Sequence, residues 1–243
     1  MQGRGSVLTL LRPPDCPAPW RVCREPDMIS RRGLLLAAAS SGVAHAAGAQ
    51  PTMPGDNRLA FRVVRNGSAI GTHVLTFARS GNGIDIHIAV DLAIGLGPFI
   101  LFRYTLRGLE QWRDGAIVHV DGAVNDDGTP ETMRADRDAR GLWVEGSQAP
   151  RYLAPADALP ATHWNMAELH APWINMQGGR LLHPVVERVG ADPVTLPNGR
   201  TEPATRYALS GDAKLDLWYD AEDQWSALGF VAKDGSVIRY ELT

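Results

Sequence analysis

Residues 84–94 read Ile-Asp-Ile-His-Ile-Ala-Val-Asp-Leu-Ala-Ile. Ile84, Ile86, Ile88, Val90, Leu92 and Ile94 point one way, while Asp85, His87, Ala89, Asp91 and Ala93 point the other. Six consecutive alternations have the period of a β-strand with one buried face, because successive side chains of a pleated chain leave on opposite sides. The pattern repeats outward in both directions. Leu59–Arg65 is followed by Asn66-Gly67, a dipeptide suited to the tight turn of a hairpin, and Ile70–Arg79 returns to a second turn at 80–83. Downstream, Gly95-Leu96-Gly97-Pro98 leads into Phe99–Arg113, with Ile100, Phe102, Tyr104 and Leu106 on one side. Asp114-Gly115, the acidic turn 125–128 and Arg140-Gly141 punctuate strands over 116–124, 131–137 and 142–145. Tight turns join antiparallel neighbours.

Between Pro150 and Gly179 the alternation fails. Residues 161–176 have room for a short helix capped by Thr162 and ended by Pro172. The strand pattern resumes at 180–189, 205–209, 215–220, 225–231 and 237–242. About ten or eleven strands without an internal repeat predict an all-β fold. The expected architecture is a large twisted antiparallel sheet curled into an open or half barrel, with one short helical or irregular covering segment. A two-sheet sandwich is the competing architecture.

The N-terminal part divides differently. Residues 28–49 carry Met28, Arg31-Arg32, an Ala- and Leu-rich run, and the small-x-small sites Ala44-His45-Ala46 and Ala47-Gly48-Ala49. That order of positive, apolar and small residues is the grammar of a signal peptide, and Ser30-Arg31-Arg32-Gly33-Leu34 resembles the twin-arginine form. The apolar run is shorter than the roughly 20 residues of a membrane span, so no stable span is expected. Residues 1–27 read as a mis-annotated or disordered extension, and they hold both cysteines, Cys16 and Cys23. Residues 50–243 form the single β domain, and the expected location is the periplasm.

Charge narrows the partners. The chain has 24 basic and 27 acidic residues; residues 1–49 hold six and three of these, leaving 18 against 24 and a formal charge of −6. An acidic surface without a basic face excludes nucleic acid as the expected partner. No cofactor or metal is expected either. Six histidines follow the leader, and none are paired at the i,i+2 or i,i+4 spacing that places two ligands on one strand or helix face. His73 and His87 are read as polar-facing positions of adjacent strands. The turns at 123–128 and 136–141 mimic calcium loops but reach Arg134 and Ser147 where the bidentate carboxylate belongs. There is no Gly-x-Ser-x-Gly elbow and no phosphate-cradling loop. These absences favour a binding or interaction role over an enzymatic one, although two carboxylates from distant strands remain available to a hydrolase.

The aromatic residues carry the remaining signal. Phe99, Phe102, Tyr104, Trp112, Trp164, Trp173 and Trp218 are the candidate ligand-binding residues, lining an aromatic cleft between the curled sheet and its covering segment. Each is also suited to core packing. The run Phe99-Ile100-Leu101-Phe102 is apolar without alternation, so part of it faces a ligand, a partner or a second layer.

Several segments resemble an uncharacterised family of exported bacterial all-β domains. They are Phe61-Arg62-Val63 with Asn66-Gly67 and Ile70-Gly71; Thr162-His163-Trp164-Asn165; Leu217-Trp218-Tyr219-Asp220; and Gly229-Phe230, Asp234-Gly235-Ser236 and Tyr240-Glu241-Leu242. The resemblance implies no reaction and no catalytic residue. It implies a fold similar to the curved half-barrel of periplasmic lipoprotein-localisation carriers, which hold acyl chains in their concavity. Fold likeness is a weak guide to function. The leading expectation is a carrier or binding domain for a lipid or other apolar small molecule. The rivals are an envelope scaffold that binds a protein partner, and the hydrolase.

Overall fold

The computed structural model describes residues 52–96 and 99–243; the expected extension and signal peptide lie outside them. The first eight strands are β1 (Arg58–Arg65), β2 (Ser68–Ser80), β3 (Gly83–Leu96), β4 (Phe99–Arg113), β5 (Ala116–Asp126), β6 (Thr129–Asp138), β7 (Gly141–Gly146) and β8 (Ala149–Leu153). Each pairs antiparallel with the next. The Asn66-Gly67 and Asp114-Gly115 turns have positive φ at both positions (49° and 83°; 50° and 75°), the geometry whose twist matches that of the flanking strands.

After β8 the chain leaves the sheet. Three two-residue strands, β9 (Leu159–Pro160), β10 (Trp173–Ile174) and β11 (Leu181–Leu182), form a small sheet of their own. The chain then rejoins the large sheet at β12 (Pro184–Ala191). A short arm of β13 (Val194–Thr195) and β14 (Thr201–Glu202) precedes β15 (Thr205–Gly211), β16 (Leu215–Tyr219), β17 (Trp225–Val231) and β18 (Val237–Leu242). β18 pairs with β1, giving one 13-stranded sheet in the order β12-β15-β16-β17-β18-β1-β2-β3-β4-β5-β6-β7-β8. The sheet curls but does not close, and β12 and β8 are its edges. The extra strands over the sequence count include β8, reached through a turn at Ser147-Gln148 that carries no glycine.

Burial follows the parity read from β3: Ile84, Ile86, Ile88, Val90 and Leu92 are buried and Ile94 is half-buried. The connection from β8 to β12, residues 154–183, runs over this buried face as a strap. A lane of small residues lets its backbone lie close. Gly108 on β4 pairs with Gly122 on β5, Gly122 with Met133 on β6, and Met133 with Gly146 on β7. A Cβ on Gly122 would stand 2.4 Å from the Met176 carbonyl oxygen, and one on Gly146 would stand 2.3 Å from that of Gly178. The expected helix over 161–176 is shorter than its pattern allowed. A 3-10 turn spans Met166–His170, capped by Asn165, whose side chain accepts from the Ala167 N–H at 3.1 Å. Thr162 does not cap it, because the turn starts four residues later, and its hydroxyl donates to Glu110 instead.

Candidate functional site

Where the strap crosses the sheet, a cavity of about 120 Å³ remains between them. The sheet contributes Ile88 and Val90 from β3, Tyr104 and Leu106 from β4, Leu215 from β16, Leu228 and Phe230 from β17, Tyr240 from β18 and His73 from β2, and Lys214, just before β16, adds an ammonium group. The strap contributes Ala161, Thr162, His163, Trp173, Asn175, Met176 and Gln177. The wall is mainly apolar, with polar atoms at a few points.

His163 is the most constrained of these residues. Its φ of +69° is a left-handed conformation that costs energy for a residue with a β-carbon, so the surroundings must hold it. Five contacts do so. The backbone N–H donates to Glu168 Oε2 at 3.0 Å, and ring Nδ1 lies 2.6 Å from Glu168 Oε1. The carbonyl accepts from the Tyr219 hydroxyl at 2.9 Å. The ring meets Trp173 and Trp225 at centroid distances of 5.3 and 5.4 Å. Glu168 is itself buried, and its carbonyl accepts from Trp173 Nε1 at 2.8 Å.

His73 corrects an expectation. It shares parity with Leu75 and Phe77, so it faces the core and not solvent. Its ring sits 5.4 Å from Trp225 and 5.7 Å from Tyr240, and Nε2 is buried without a hydrogen-bond partner among the described residues. Burial, reinforced by His163 nearby, lowers its pKa from 6.5 to about 3, so the ring is neutral at physiological pH. His87 is exposed, as its parity predicts.

Asn175 is the second cavity residue with a buried, unpartnered nitrogen among the described residues. Its Oδ1 accepts from the Gln177 backbone N–H at 2.7 Å, which fixes the amide's orientation and leaves Nδ2 without a partner among the described residues. Gln177 Nε2 in turn donates to the Tyr104 hydroxyl at 2.9 Å. Burial raises the pKa of both Tyr104 and Tyr240, so both phenols stay protonated.

Beside the cavity, Glu110 lies wholly buried on the inner face of β4. Its carboxyl accepts from Thr162 Oγ1 at 2.5 Å, Trp112 Nε1 at 3.0 Å and Trp164 Nε1 at 3.2 Å. Burial raises its pKa, and these three donors oppose the shift. Two of the donors belong to the strap, so Glu110 fastens strap to sheet.

The candidate aromatic residues separate into five places. Tyr104 and Trp173 line the cavity. Trp112 and Trp164 pack edge to face at 5.8 Å around Glu110, and Phe102 is buried in the core. Phe99 is 71% exposed at the start of β4. Trp218 lies on the opposite face of the sheet with Ala204 and Ala227, its Nε1 donating to Asp192 at 3.0 Å. His73, His163, Glu110, Glu168 and Asn175 escaped sequence reasoning as a group. The available signal was parity, since Glu110 falls two residues before the inward Trp112.

Residues 61–243 match the family described as a domain of unknown function, DUF6134. The chain belongs to DUF6134. For this DUF6134 chain, the quoted segments now have places. Thr162-His163-Trp164-Asn165 supplies two donors to Glu110, the strained cavity histidine and the cap of the 3-10 turn. Leu217-Trp218-Tyr219-Asp220 supplies the hydroxyl that holds His163 and a carboxylate that accepts from the N–H groups of Glu222 and Gln224. No curated protein matches the chain. Its fold is similar to the crystal structure of a β-barrel-like protein of domain of unknown function DUF1849 from Brucella abortus. The TM-score is 0.52 at 10% identity, covering 76% of this chain and 94% of that one. That likeness concerns the fold alone. Among the described residues no helix is long and apolar enough to cross a membrane, and no group of three or more candidate ligands stands ready for a metal.

Proposed function

We propose that this protein is an exported, periplasmic binding domain for a small, mainly apolar molecule held between the sheet and the strap. The carrying observation is the cavity of about 120 Å³, whose mainly apolar wall includes Lys214 and two buried atoms, His73 Nε2 and Asn175 Nδ2, without hydrogen-bond partners among the described residues. A buried donor left unpaired costs about 1–3 kcal/mol, and a ligand with a matching polar atom removes that cost. The size narrows the ligand. An engineered cavity of about 150 Å³ in another protein accommodates benzene, so one ring or a short chain fits here and a whole phospholipid does not. Native mass spectrometry of protein purified from the periplasm, together with titration by small aromatic probes, tests the proposal. A retained small molecule or saturable binding supports it; empty spectra with no binding at millimolar probe reject it.

A second role, docking to an envelope partner, draws support from the β3–β4 tip. There Phe99, Ile100 and Leu101 are 71%, 54% and 59% exposed, an apolar cluster unusual for solvent contact. A photo-cross-linker at Ile100 that yields a protein adduct in cells supports this role, and its absence in a strain expressing the protein rejects it.

A further inference from the structure

Charge sets the cavity wall apart from the rest of the protein, and it names a ligand class that rests on the proposed binding role. The domain beyond residue 49 carries a formal charge of −6. Among the described residues, however, the wall holds no aspartate or glutamate, and Lys214 is its one lysine or arginine. Glu110 and Glu168, which bond to Thr162 and His163 of the wall, are buried and are not part of it. The two wall nitrogens without partners belong to uncharged groups, the amide of Asn175 and the imidazole of His73 with its pKa of about 3.

Lys214 is left unneutralised by its own neighbours. It is exposed, between buried Ala213 and half-buried Leu215 at the start of β16. The carboxylates on either side of it in sequence are engaged elsewhere. Asp212 Oδ2 accepts from the His183 backbone N–H at 2.9 Å, and Asp216 pairs with Arg206 at 3.1 Å. Lys214 makes no ion pair or hydrogen bond among the described residues, whereas Arg62, Arg65, Arg107 and Arg113 all hold carboxylates. An exposed ammonium in the wall of an apolar cavity marks its mouth. An anionic head placed there keeps part of its hydration while its apolar body leaves water. Deeper in the cavity the same head would lose that hydration with no lysine or arginine to replace it. We propose that the cavity takes a small amphipathic anion such as a short-chain carboxylate, its chain among Ile88, Val90, Leu106, Leu228 and Phe230 and its head at the mouth beside Lys214.

Hexanoate and 1-hexanol share a chain length and differ in the charge of the head, so they separate anion recognition from apolar binding. Lys214→Met keeps an apolar stem and removes the ammonium at an exposed position, where substitution costs little stability. Calorimetric titration of the whole protein is expected to show Lys214→Met binding hexanoate about two- to fivefold more weakly than wild type, the range of an exposed ion pair, and binding hexanol unchanged. Lys214→Arg restores hexanoate binding, and salt at about 1 M, where the screening length is about 3 Å, removes the difference. Lys233, the other lysine of the chain, is also exposed and lies outside the wall, so it is an internal control. Under limiting acetylation followed by peptide mass spectrometry, hexanoate slows modification of Lys214 and not of Lys233. Equal hexanoate affinity in wild type and Lys214→Met, with no protection of Lys214, overturns anion recognition while leaving the apolar cavity intact. Binding of neither probe at millimolar concentration overturns the binding role itself.

Discussion

His73 should make this protein lose stability on mild acidification, and the loss should vanish in His73→Phe. In the folded chain burial holds the ring neutral down to a pKa of about 3, whereas in the unfolded chain it titrates near the ordinary value of 6.5. Below 6.5 the unfolded state therefore binds a proton that the folded state refuses. The stabilisation is complete above 6.5 and drains away as pH falls toward 3. Between about pH 7.5 and 5 the loss is about 2 kcal/mol, approaching about 5 kcal/mol near the lower limit. For a domain of this size 2 kcal/mol corresponds to a fall in Tm of about 4–8 °C. Phe keeps the ring contacts with Phe61, Trp225 and Tyr240 and removes the titration together with the unpaired Nε2. Glu110 acts with the opposite sign, because its raised pKa lets the folded state take a proton first, but it is present in both proteins and cancels. Urea unfolding followed by tryptophan fluorescence at several pH values gives the two curves. Parallel curves for the wild type and His73→Phe refute the assignment of a buried neutral imidazole.

Three further outcomes test the architecture by urea unfolding. Glu110→Ala strands two indole N–H groups and the Thr162 hydroxyl and opens a void, costing about 3–5 kcal/mol, while Glu110→Gln keeps one acceptor and costs about 1–2; equal costs would deny the network. Gly122→Ala drives a methyl group into the Met176 carbonyl and costs about 1–3 kcal/mol, whereas Gly55→Ala, with nothing within 4 Å, changes little. At the β3–β4 tip, Ile100→Ser stays within about 0.5 kcal/mol of wild type, and Phe102→Ser, two residues on and buried, costs about 3 or more; similar losses at both would mean that the tip is packed.

The large sheet was legible because its signals are local. Alternation over Ile84–Ile94 and the Asn66-Gly67 and Asp114-Gly115 turns depend only on neighbours in sequence, and the structure keeps the parity and the turns. The orientation of His73 was not legible, since β2 carries apolar residues of both parities. Val74 lies half-buried on one face while Leu75 and Phe77 are buried on the other, and Ile70, the residue skipped where the β1–β2 register shifts between Val63 and Val64, packs against the core with them. The glycine lane was equally hidden. Gly108, Gly122 and Gly146 stand in three different strands, and only the pairing register brings them into line under the strap. Trp218 shows the limit of composition: its ring suits a cleft, but its parity places it outside, beneath Arg206 and Arg239 at 5.7 and 5.6 Å.

The strap's fastening bears on what the cavity is for. If the only need were to hold residues 154–183 on an apolar sheet, a leucine at position 110 facing valine and phenylalanine would do it without desolvating a carboxyl. Glu110 instead demands three donors in fixed directions, and it finds them in Trp112 of the sheet and Thr162 and Trp164 of the strap. Apolar contacts tolerate sliding by an ångström; three convergent hydrogen bonds do not. His163 sits between Thr162 and Trp164 in sequence, so fixing those two fixes the backbone of the residue whose ring closes the cavity. Glu168 then holds the ring through Nδ1, and the Tyr219 hydroxyl holds the His163 carbonyl. Two buried carboxyls, Glu110 through Thr162 and Trp164 and Glu168 directly, thus bracket one strained histidine in the cavity wall.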